Sequence, residues 1–233
     1  MTTTDAATPI LVATAVRKSY RTGPDVVHAV ENVDLTVLQG EFVAITGRSG
    51  SGKTTLINCL SGLDDIDAGS VVLDGVDLAA MSDTERTDQR ARVMGFVFQT
   101  SNLLPVYTAQ ENVALPMVLG GTSSKDARTA ARSVLERVGM GHRLAHYPGE
   151  LSGGEQQRVA IARAFVKRPR IVCADEPTGN LDTKSAGQVL DLLGELHQDG
   201  TTLILVTHDV ELAARADRRI EFADGCIVAV AAG

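Results

Sequence analysis

The sequence predicts an α/β protein with a mostly parallel sheet and an inserted helical block. Short apolar runs of strand length recur along the chain, at residues 41–46, 69–74, 95–98, 171–174, 201–206 and 220–223. Short strands that are apolar throughout are buried on both faces, and in alternation with helices they favour a parallel sheet covered by helices. The strand pattern stops at about residue 99 and resumes after about residue 158, so we expect a helical insertion there.

Local signals predict the remaining elements. In chain order these are strands at residues 10–16 and 26–37, a helix at 53–61 that Gly62 ends, a turn at Asp74-Gly75, an alanine-rich helical stretch at 108–137 with breaks at Pro105 and Pro116, a helix from just after Gly154 to about residue 167, and a helix that carries Val189, Leu192, Leu193 and Leu196. The last four residues have the 3.6-residue spacing of a buried helix face.

Composition narrows the function classes. The 233 residues fit one large α/β domain, or one domain with an inserted subdomain, and 44% apolar residues supply an ordinary core. A net charge of −7 with no dense basic stretch argues against a nucleic-acid partner. The three cysteines lie far apart and predict neither a disulfide framework nor a metal site. No leader or membrane-spanning segment is predicted, so at a membrane another chain would have to cross it.

The segment Gly47-Arg48-Ser49-Gly50-Ser51-Gly52-Lys53-Thr54 matches the phosphate-loop pattern, between a predicted strand and a predicted helix. Its glycines let backbone N–H groups face phosphate oxygens, and the helix N-terminus adds partial positive charge. Lys53 would contribute a cation to the β- and γ-phosphates, and Thr54 a hydroxyl to Mg²⁺. The segment therefore predicts a nucleoside triphosphatase.

Two carboxylates, Asp175 and Glu176, end the apolar strand 171–174. Ligands of parallel sheets gather at the carboxyl ends of strands. Asp175 is predicted to bind the Mg²⁺ that Thr54 holds, and Glu176 to orient and deprotonate the attacking water.

The segment Leu151-Ser152-Gly153-Gly154-Glu155-Gln156-Gln157-Arg158 follows the phosphate loop and precedes the Asp-Glu pair. In this order and spacing the chain resembles the ATP-binding cassette (ABC) family, over about residues 10–230, and the segment 151–158 corresponds to the signature of that family. The resemblance implies a P-loop core with a mostly parallel, RecA-like sheet, an antiparallel β subdomain and an inserted helical subdomain. We expect a single cassette over residues 1–233, with the core at about 1–98 and 159–233 and the helical subdomain at about 99–158.

The resemblance also implies roles for single residues. Tyr20 would stack on adenine, Thr55 would join the nucleotide site, and Gln99 would sense Mg²⁺ and the γ-phosphate. His208 would contact the γ-phosphate, and Asp182, in the segment Gly179-Asn180-Leu181-Asp182, would reach across a dimer interface. ATP and Mg²⁺ are the implied ligands.

Two copies of an ABC cassette pair head to tail, so that Ser152, Gly153, Gly154 and Glu155 of one copy would cover the ATP of the other. The resemblance departs from the usual pattern at Glu155, where the family has glutamine. A carboxylate suits the first turn of a helix, but it also brings negative charge toward the partner's triphosphate, so its effect on turnover stays open.

The segments FVFQ, NLLP, ENVALP and DEPTGNLD resemble the branch of the lipoprotein-release and macrolide-export ATPases. This implies an ATPase that powers a membrane permease of export type, held peripherally on the cytoplasmic face of the inner membrane. Two alternatives are a force-transmitting regulator of the cell-division type and a soluble assembly ATPase. Leu103, Leu104, Pro105, Val106 and Tyr107 either form a groove for the permease or pack inside the helical block.

Overall fold

The computed structural model describes residues 8–232. They form two compact units, one of residues up to Arg90 and from Thr202 onward, the other Ala91–Thr201. This division differs from the expected limits of core and helical subdomain, since strands β6 and β7 below belong to the second unit together with its helices. The subdomain limits stay a prediction.

The first unit contains an antiparallel sheet in the order β2-β1-β4-β5. Its strands are β1 (Pro9–Thr22), β2 (Asp25–Leu38), β4 (Ala68–Leu73) and β5 (Val76–Asp77). The second half of β2 alternates between buried and exposed residues, with Val33, Leu35 and Val37 inward, as expected for a sheet with one covered face. Asp74 and Gly75 both have positive φ and form the predicted turn between β4 and β5.

The first unit also contains the parallel strands that carry much of the site. Strand β3 (Phe42–Thr46) pairs in parallel with both β8 (Thr202–Val206) and β9 (Arg218–Ala223), and β10 (Cys226–Ala232) runs antiparallel to β9. Strand β8 is buried along its whole length, as the unbroken apolar run predicts. The helices are α1 (Lys53–Ser61), α2 (Asp83–Val93), which begins in this unit, and the short α7 (Val210–Ala213).

The second unit pairs two parallel strands and packs four helices. Strands β6 (Met94–Val97) and β7 (Ile171–Asp175) run in parallel. The helices are α3 (Ala109–Leu119), α4 (Ser124–Arg137), α5 (Gly153–Phe165) and α6 (Thr183–Gln198). Helix α3 packs against α4 and α5 around a small-residue core that includes Val113, Ala127 and Ala131.

The mostly parallel α/β fold is confirmed, one local prediction is wrong, and two elements were not predicted. Pro116 lies inside α3 and does not break it, because the helix continues to Leu119. Helix α2 and strand β10 were not predicted. No helix within residues 8–232 is long and apolar enough to span a membrane.

Candidate active site

The phosphate loop has the conformation that the sequence predicts. It connects β3 to α1, and its glycines Gly47, Gly50 and Gly52 have φ of 153°, 79° and 101°. Residues with side chains rarely adopt such angles, so glycine is required for the curl of the backbone. The loop delivers the chain to Lys53, where α1 begins, and Gly62 ends that helix as predicted by donating to the carbonyls of Asn58 and Cys59.

Close packing is a second reason why glycine is required at two of these positions. A Cβ on Gly47 would lie 2.1 Å from the carbonyl oxygen of Phe222, and one on Gly52 would lie 2.1 Å from that of Ala29. A Cβ on Gly50 would have nothing within 4 Å. The phosphate loop is therefore pressed against backbone at both ends, while its middle faces open space.

The turn between β9 and β10 is hydrogen-bonded to the phosphate loop. Gly225 donates its N–H to the Ser51 carbonyl at 3.1 Å and accepts the Glu31 N–H at 2.8 Å. The loop is thereby linked to β2 as well as to β9 and β10. The buried hydroxyl of Ser51 has no hydrogen-bond partner among the described residues. A buried hydroxyl without a partner suits a site that accepts a polar ligand.

Lys53 is buried, and its ammonium curls back onto the loop. Nζ donates to the carbonyls of Gly47 at 2.8 Å and Arg48 at 2.9 Å. Thr54, the next residue, is exposed at the helix N-terminus, as are Arg48 and Ser49 in the loop. Cation, hydroxyl and backbone N–H groups are thus gathered at one helix end, which is the donor set that a triphosphate requires.

Tyr20, near the end of β1, is 39% exposed. Its hydroxyl donates to Oδ2 of Asp64 at 2.5 Å and lies near Thr55, the third residue of α1. Burial, followed by the Asp64 carboxylate, raises the pKa of Tyr20 above its ordinary value of 10.0. The ring is therefore held beside the helix of the phosphate loop while part of it remains accessible.

His208 lies at the same edge of the parallel strands as the phosphate loop. Strands β3 and β8 pair Ile45 with Val206, and both Gly47 and His208 come two residues after that pair. The Thr207 N–H donates to the Ile45 carbonyl at 3.1 Å, which extends the register to the residue before His208. His208 is exposed, so a ligand can reach its ring.

The same register argument brings the predicted residues of the second unit together. Strands β6 and β7 pair Val97 with Ala174, so Gln99 and Glu176 each come two residues after that pair. Asp175 and Glu176 are half-buried at the strand end. Glu176 has a φ of 46°, an angle that costs free energy for a residue with a side chain and often marks a functional position.

Gln99 contacts the loop that follows Glu176. A Cβ on Gly179 would lie 2.8 Å from the Gln99 amide nitrogen, and Asn180 donates its side-chain amide to the Gln99 carbonyl at 3.3 Å. Helix α5 holds the segment around Gln99 from the other side, because Gln157 donates to the Phe98 carbonyl at 2.8 Å. Helix α5, which the signature begins, is thus hydrogen-bonded to the residue that precedes Gln99.

Arg163 strengthens this support. Its guanidinium donates to the carbonyls of Ser101 at 2.7 Å and Asn102 at 2.6 Å. Burial lowers the pKa of the Arg163 guanidinium below its ordinary value. A charged donor with two short bonds to backbone fixes the chain path just after Gln99.

The signature begins helix α5 with a reciprocal cap. The Ser152 hydroxyl accepts the Glu155 N–H at 3.3 Å, and Glu155 Oε2 accepts the Ser152 N–H at 2.8 Å. Arg143 Nε donates to Glu155 Oε1 at 3.1 Å. Ser152 and Gly153 remain exposed, and Gly154 is buried. The unusual carboxylate is therefore engaged by its own chain.

Asp182 begins helix α6 close to the signature. Its Oδ1 accepts the N–H groups of Lys184 and Ser185 at 3.0 Å, and its Oδ2 accepts the Ser185 hydroxyl at 2.7 Å. A Cβ on Gly154 would lie 2.9 Å from that hydroxyl oxygen, so the two helix starts pack closely. Asp182 is an exposed N-cap, and its predicted reach across an interface stays a prediction.

Comparisons with known proteins agree with these motifs. The ABC transporter family matches residues 30–179. The chain is 48% identical over 223 residues to the lipoprotein-releasing system ATP-binding protein LolD of Shewanella sp. (strain MR-4), covering 95% of this chain and 96% of the relative. It is 46% identical over 219 residues to the uncharacterized ABC transporter ATP-binding protein YvrO of Bacillus subtilis (strain 168), covering 94% of this chain and 96% of the relative.

A solved structure gives the same result. The ATP-binding cassette MJ0796, in a dimeric post-hydrolysis state bound to ADP and Pi, matches with a TM-score of 0.89 at 39% identity, over 95% of this chain and 98% of that one. The chain therefore belongs to the ABC transporter family. Within it, the chain is an ATP-binding, ATP-hydrolysing subunit of a membrane transport system, and the predicted P-loop fold with an antiparallel subdomain is confirmed.

Sequence reasoning missed the residues that hold the site in shape. Arg163 lies in the apolar run of α5 and is half-buried, whereas Lys18 follows the apolar part of β1, between Arg17 and Ser19, and is buried. A cation in an apolar run needs a partner, so that signal was available, but the partners come from distant segments. Gln157 and Asp64 gave no comparable signal.

Proposed function

We propose that this chain works as a homodimer that powers a membrane permease of the lipoprotein-releasing type, peripherally on the cytoplasmic face of the inner membrane. The name of the relative from Shewanella supports the cargo class, and the dimeric state of the similar solved cassette supports the homodimer. The observation that supports a membrane partner is a rigid loop in the second unit whose apolar side chains are exposed.

Asn112 makes that loop rigid. Its amide is fully buried and accepts the Leu104 N–H at 2.7 Å. The two hydrogens of its Nδ2 are shared among the carbonyls of Leu104 at 3.0 Å, Tyr107 at 2.9 Å and Thr108 at 3.1 Å. Because the buried Asn112 hydrogen-bonds these backbone groups, the side chains of the loop are left to face solvent. Leu104 is 41% exposed, Val106 75% and Tyr107 38%. Exposed apolar side chains on a fixed backbone favour a docking site over packing inside the helical block.

In the first unit, we propose that the phosphate loop binds the β- and γ-phosphates of ATP. The backbone N–H groups and the N-terminus of the nine-residue helix α1 supply positive potential. Lys53 would exchange the carbonyls of Gly47 and Arg48 for phosphate oxygens, which bear full negative charge and are the stronger acceptors. His208, at the same strand edge, would hydrogen-bond the γ-phosphate, and Tyr20 would stack on the base.

A threonine hydroxyl, a carboxylate and an amide carbonyl are oxygen donors of the kind that Mg²⁺ accepts beside substrate phosphates. Thr54, Asp175 and Gln99 are the proposed ligands. When bound, Mg²⁺ neutralises charge that develops on the phosphates.

Glu176 is the proposed general base. Its carboxylate would accept a proton from water as the water oxygen bonds to the γ-phosphorus and the bond to the β–γ bridging oxygen breaks, giving ADP and inorganic phosphate. The left-handed backbone at Glu176 supports this role, since it turns the residue out of the strand line at the sheet edge where Gln99 also lies.

The dimer would be closed by the signature. Ser152 and Gly153 are exposed at the N-terminus of the thirteen-residue helix α5, where a hydroxyl and backbone N–H groups can receive a γ-phosphate from a second copy. ATP would then bind the closed dimer more tightly than the open one and shift the population toward it. Loss of the γ-phosphate removes that contact and lets the dimer open.

The test traps the closed state. A tagged Glu176→Gln variant is mixed with ATP and recovered from detergent-solubilised native membranes for mass spectrometry, with Glu195→Gln, an exposed carboxylate on α6, as control. We expect a stable dimer with an integral membrane protein for Glu176→Gln alone. A purely soluble partner, or a dimer with none, would reject the permease and favour an assembly or regulatory ATPase. Near wild-type hydrolysis by Glu176→Gln would remove the residue from the role of base.

A second arm tests the loop. Leu104→Asp or Tyr107→Asp should abolish recovery of the membrane protein while basal ATP hydrolysis persists. Val230→Asp is the matched control, because Val230 on β10 is 57% exposed and lies in the other unit. Undiminished recovery with both loop variants would reject the loop as the docking site.

A further inference from the structure

The ring of Tyr20 is fixed by a cluster that the family motifs do not include. Lys18 is only 9% exposed, and its ammonium donates to Asp64 Oδ1 at 2.7 Å and to the Asp65 carbonyl at 2.7 Å. Asp64 accepts the Tyr20 hydroxyl with its other oxygen. The Lys18 ammonium also lies 5.2 Å from the centre of the Tyr20 ring, over one face. One carboxylate thus binds both the hydroxyl of the ring and the cation above it.

Asp64 itself is placed by the helix of the phosphate loop. The N–H groups of Leu63 and Asp64 both donate to the Asn58 carbonyl in the last turn of α1, at 2.9 and 3.2 Å. At the other end of the same helix, Thr55 lies near the Tyr20 hydroxyl. The orientation of the ring is therefore coupled to the helix that begins at the phosphate loop.

The backbone of β1 is fixed to the same segment. Asp67 donates its N–H to the Arg17 carbonyl at 2.8 Å, and its carboxylate accepts the Ser19 N–H at 2.7 Å. Because backbone and hydroxyl are both held, the ring has little rotational freedom left. With Lys18 over one face, a flat ligand can stack only on the other.

We infer that Lys18 and Asp64 are positioning residues for the nucleotide base: they hold the Tyr20 ring in one orientation before ATP binds. The inference rests on the proposed stacking role of Tyr20. A ring ordered in advance loses less conformational entropy when the base arrives, so the cluster raises affinity without touching the phosphates. Its effect should appear in the affinity for ATP and not in the chemical step.

The charges of the cluster agree with this arrangement. Burial by itself would raise the pKa of Asp64, but the hydrogen bonds from Lys18 and Tyr20 outweigh it, and the pKa lies below the ordinary 3.8. Asp64 is therefore ionised at neutral pH and accepts both bonds as a carboxylate.

A double-mutant cycle tests the inference on the full chain. The dissociation constant of Mg·ATP is measured by displacement of a fluorescent ATP analogue, and KM and kcat by steady-state hydrolysis. Tyr20→Ala should weaken binding about fivefold or more, since stacking on an aromatic side chain contributes that much per base. Asp64→Ala in the wild-type background should weaken it about three- to tenfold, through KM, with kcat within about twofold.

The Tyr20→Ala background separates positioning from a general structural effect. There, Asp64→Ala should cause no further loss of affinity, because no ring remains to be positioned. Asp64→Asn, which keeps an acceptor for the hydroxyl, should recover part of the affinity. Asp65→Ala is the matched control, since its carboxylate pairs with Arg86 and its carbonyl is retained.

Each outcome tests either the positioning role of Asp64 or the stacking role of Tyr20. An equal loss from Asp64→Ala in both backgrounds, or no loss in the wild type, would overturn the positioning role and leave Tyr20 as the stacking residue. An unchanged affinity in Tyr20→Ala would overturn the stacking role, and the inference with it. A loss of binding in Asp65→Ala equal to that in Asp64→Ala would assign the effect to disruption of the segment, which also overturns the inference.

Discussion

Substitution of Glu155 tests what an acidic residue does in the signature. Its two oxygens accept the Ser152 N–H at 2.8 Å and the Arg143 Nε–H at 3.1 Å. Glu155→Gln keeps an acceptor for the N–H and removes the charge, whereas Glu155→Ala removes both. We therefore expect the glutamine variant to be the milder of the two.

The structure gives the size of each loss. The charge at the first turn of a helix contributes about 0.3–1 kcal/mol. The pair with Arg143, whose side chain is 35% exposed, adds only a few tenths because solvent screens it. Glu155→Gln should thus lower the free energy of unfolding by about 1 kcal/mol or less. Glu155→Ala also loses the reciprocal cap and should lower it by about 2 kcal/mol.

Urea unfolding of both variants measures these differences, and hydrogen exchange at residues 153–156 localises them to the helix start. The pKa of Glu155 lies below its ordinary 4.5, chiefly because of the hydrogen bond from the Ser152 backbone. The stabilisation by its charge is therefore present above pH 4.5 and is lost as the pH falls through the lowered value. The gap between wild type and Glu155→Gln should close in that range.

Turnover completes the test. Because the carboxylate is already engaged within its own chain, Glu155→Gln should change kcat by less than about threefold. If glutamine and alanine destabilise equally, the reciprocal cap is not what Glu155 provides. If Glu155→Gln accelerates hydrolysis tenfold or more, the charge acts on the nucleotide of the partner and our reasoning fails.

Three further predictions rest on single contacts. Gly52→Ala should abolish binding of a fluorescent nucleotide, because its Cβ would lie 2.1 Å from a backbone oxygen. Gly50→Ala has open space and should cost only about 1–2 kcal/mol of backbone strain in urea unfolding. An equal loss of nucleotide binding in the two variants would contradict this. Arg163→Met removes two charged bonds to backbone and should destabilise by about 3 kcal/mol, with Arg163→Lys intermediate; a loss below about 1 kcal/mol would contradict the anchoring role. Asn112→Leu should destabilise by about 3 kcal/mol and abolish stimulation of ATP hydrolysis by the membrane partner, and full stimulation would separate the loop from docking.

Local sequence signals predicted the elements that depend on nearby residues. Helix α1 begins at Lys53 and ends before Gly62 as expected, because glycines set both ends. Helix α2 was missed because its residues lack an apolar period, although Ser82 and Glu85 form the capping pair that marks such a start. The prediction of a break at Pro116 was wrong: α3 continues to Leu119, although a proline in a helix interior costs about 3 kcal/mol.

The sequence by itself determined which chemical groups the candidate site offers and that they follow strand ends. Gln99, Glu176 and His208 each follow a predicted strand, and the pairing of the parallel strands brings the first two to one edge and the third beside the phosphate loop. These positions follow from where each predicted strand ends and from the parallel direction in which the strands pair.

Only the tertiary structure decided which partners hold those groups. Tyr20 is held by a carboxylate 44 residues away, and Gly52 must lack a side chain because β2 brings the carbonyl of Ala29 against it. Glu155 is engaged by Arg143, twelve residues earlier in the chain. The physical reason is that the residue type fixes what a side chain can bind, whereas packing between distant segments fixes what lies within reach.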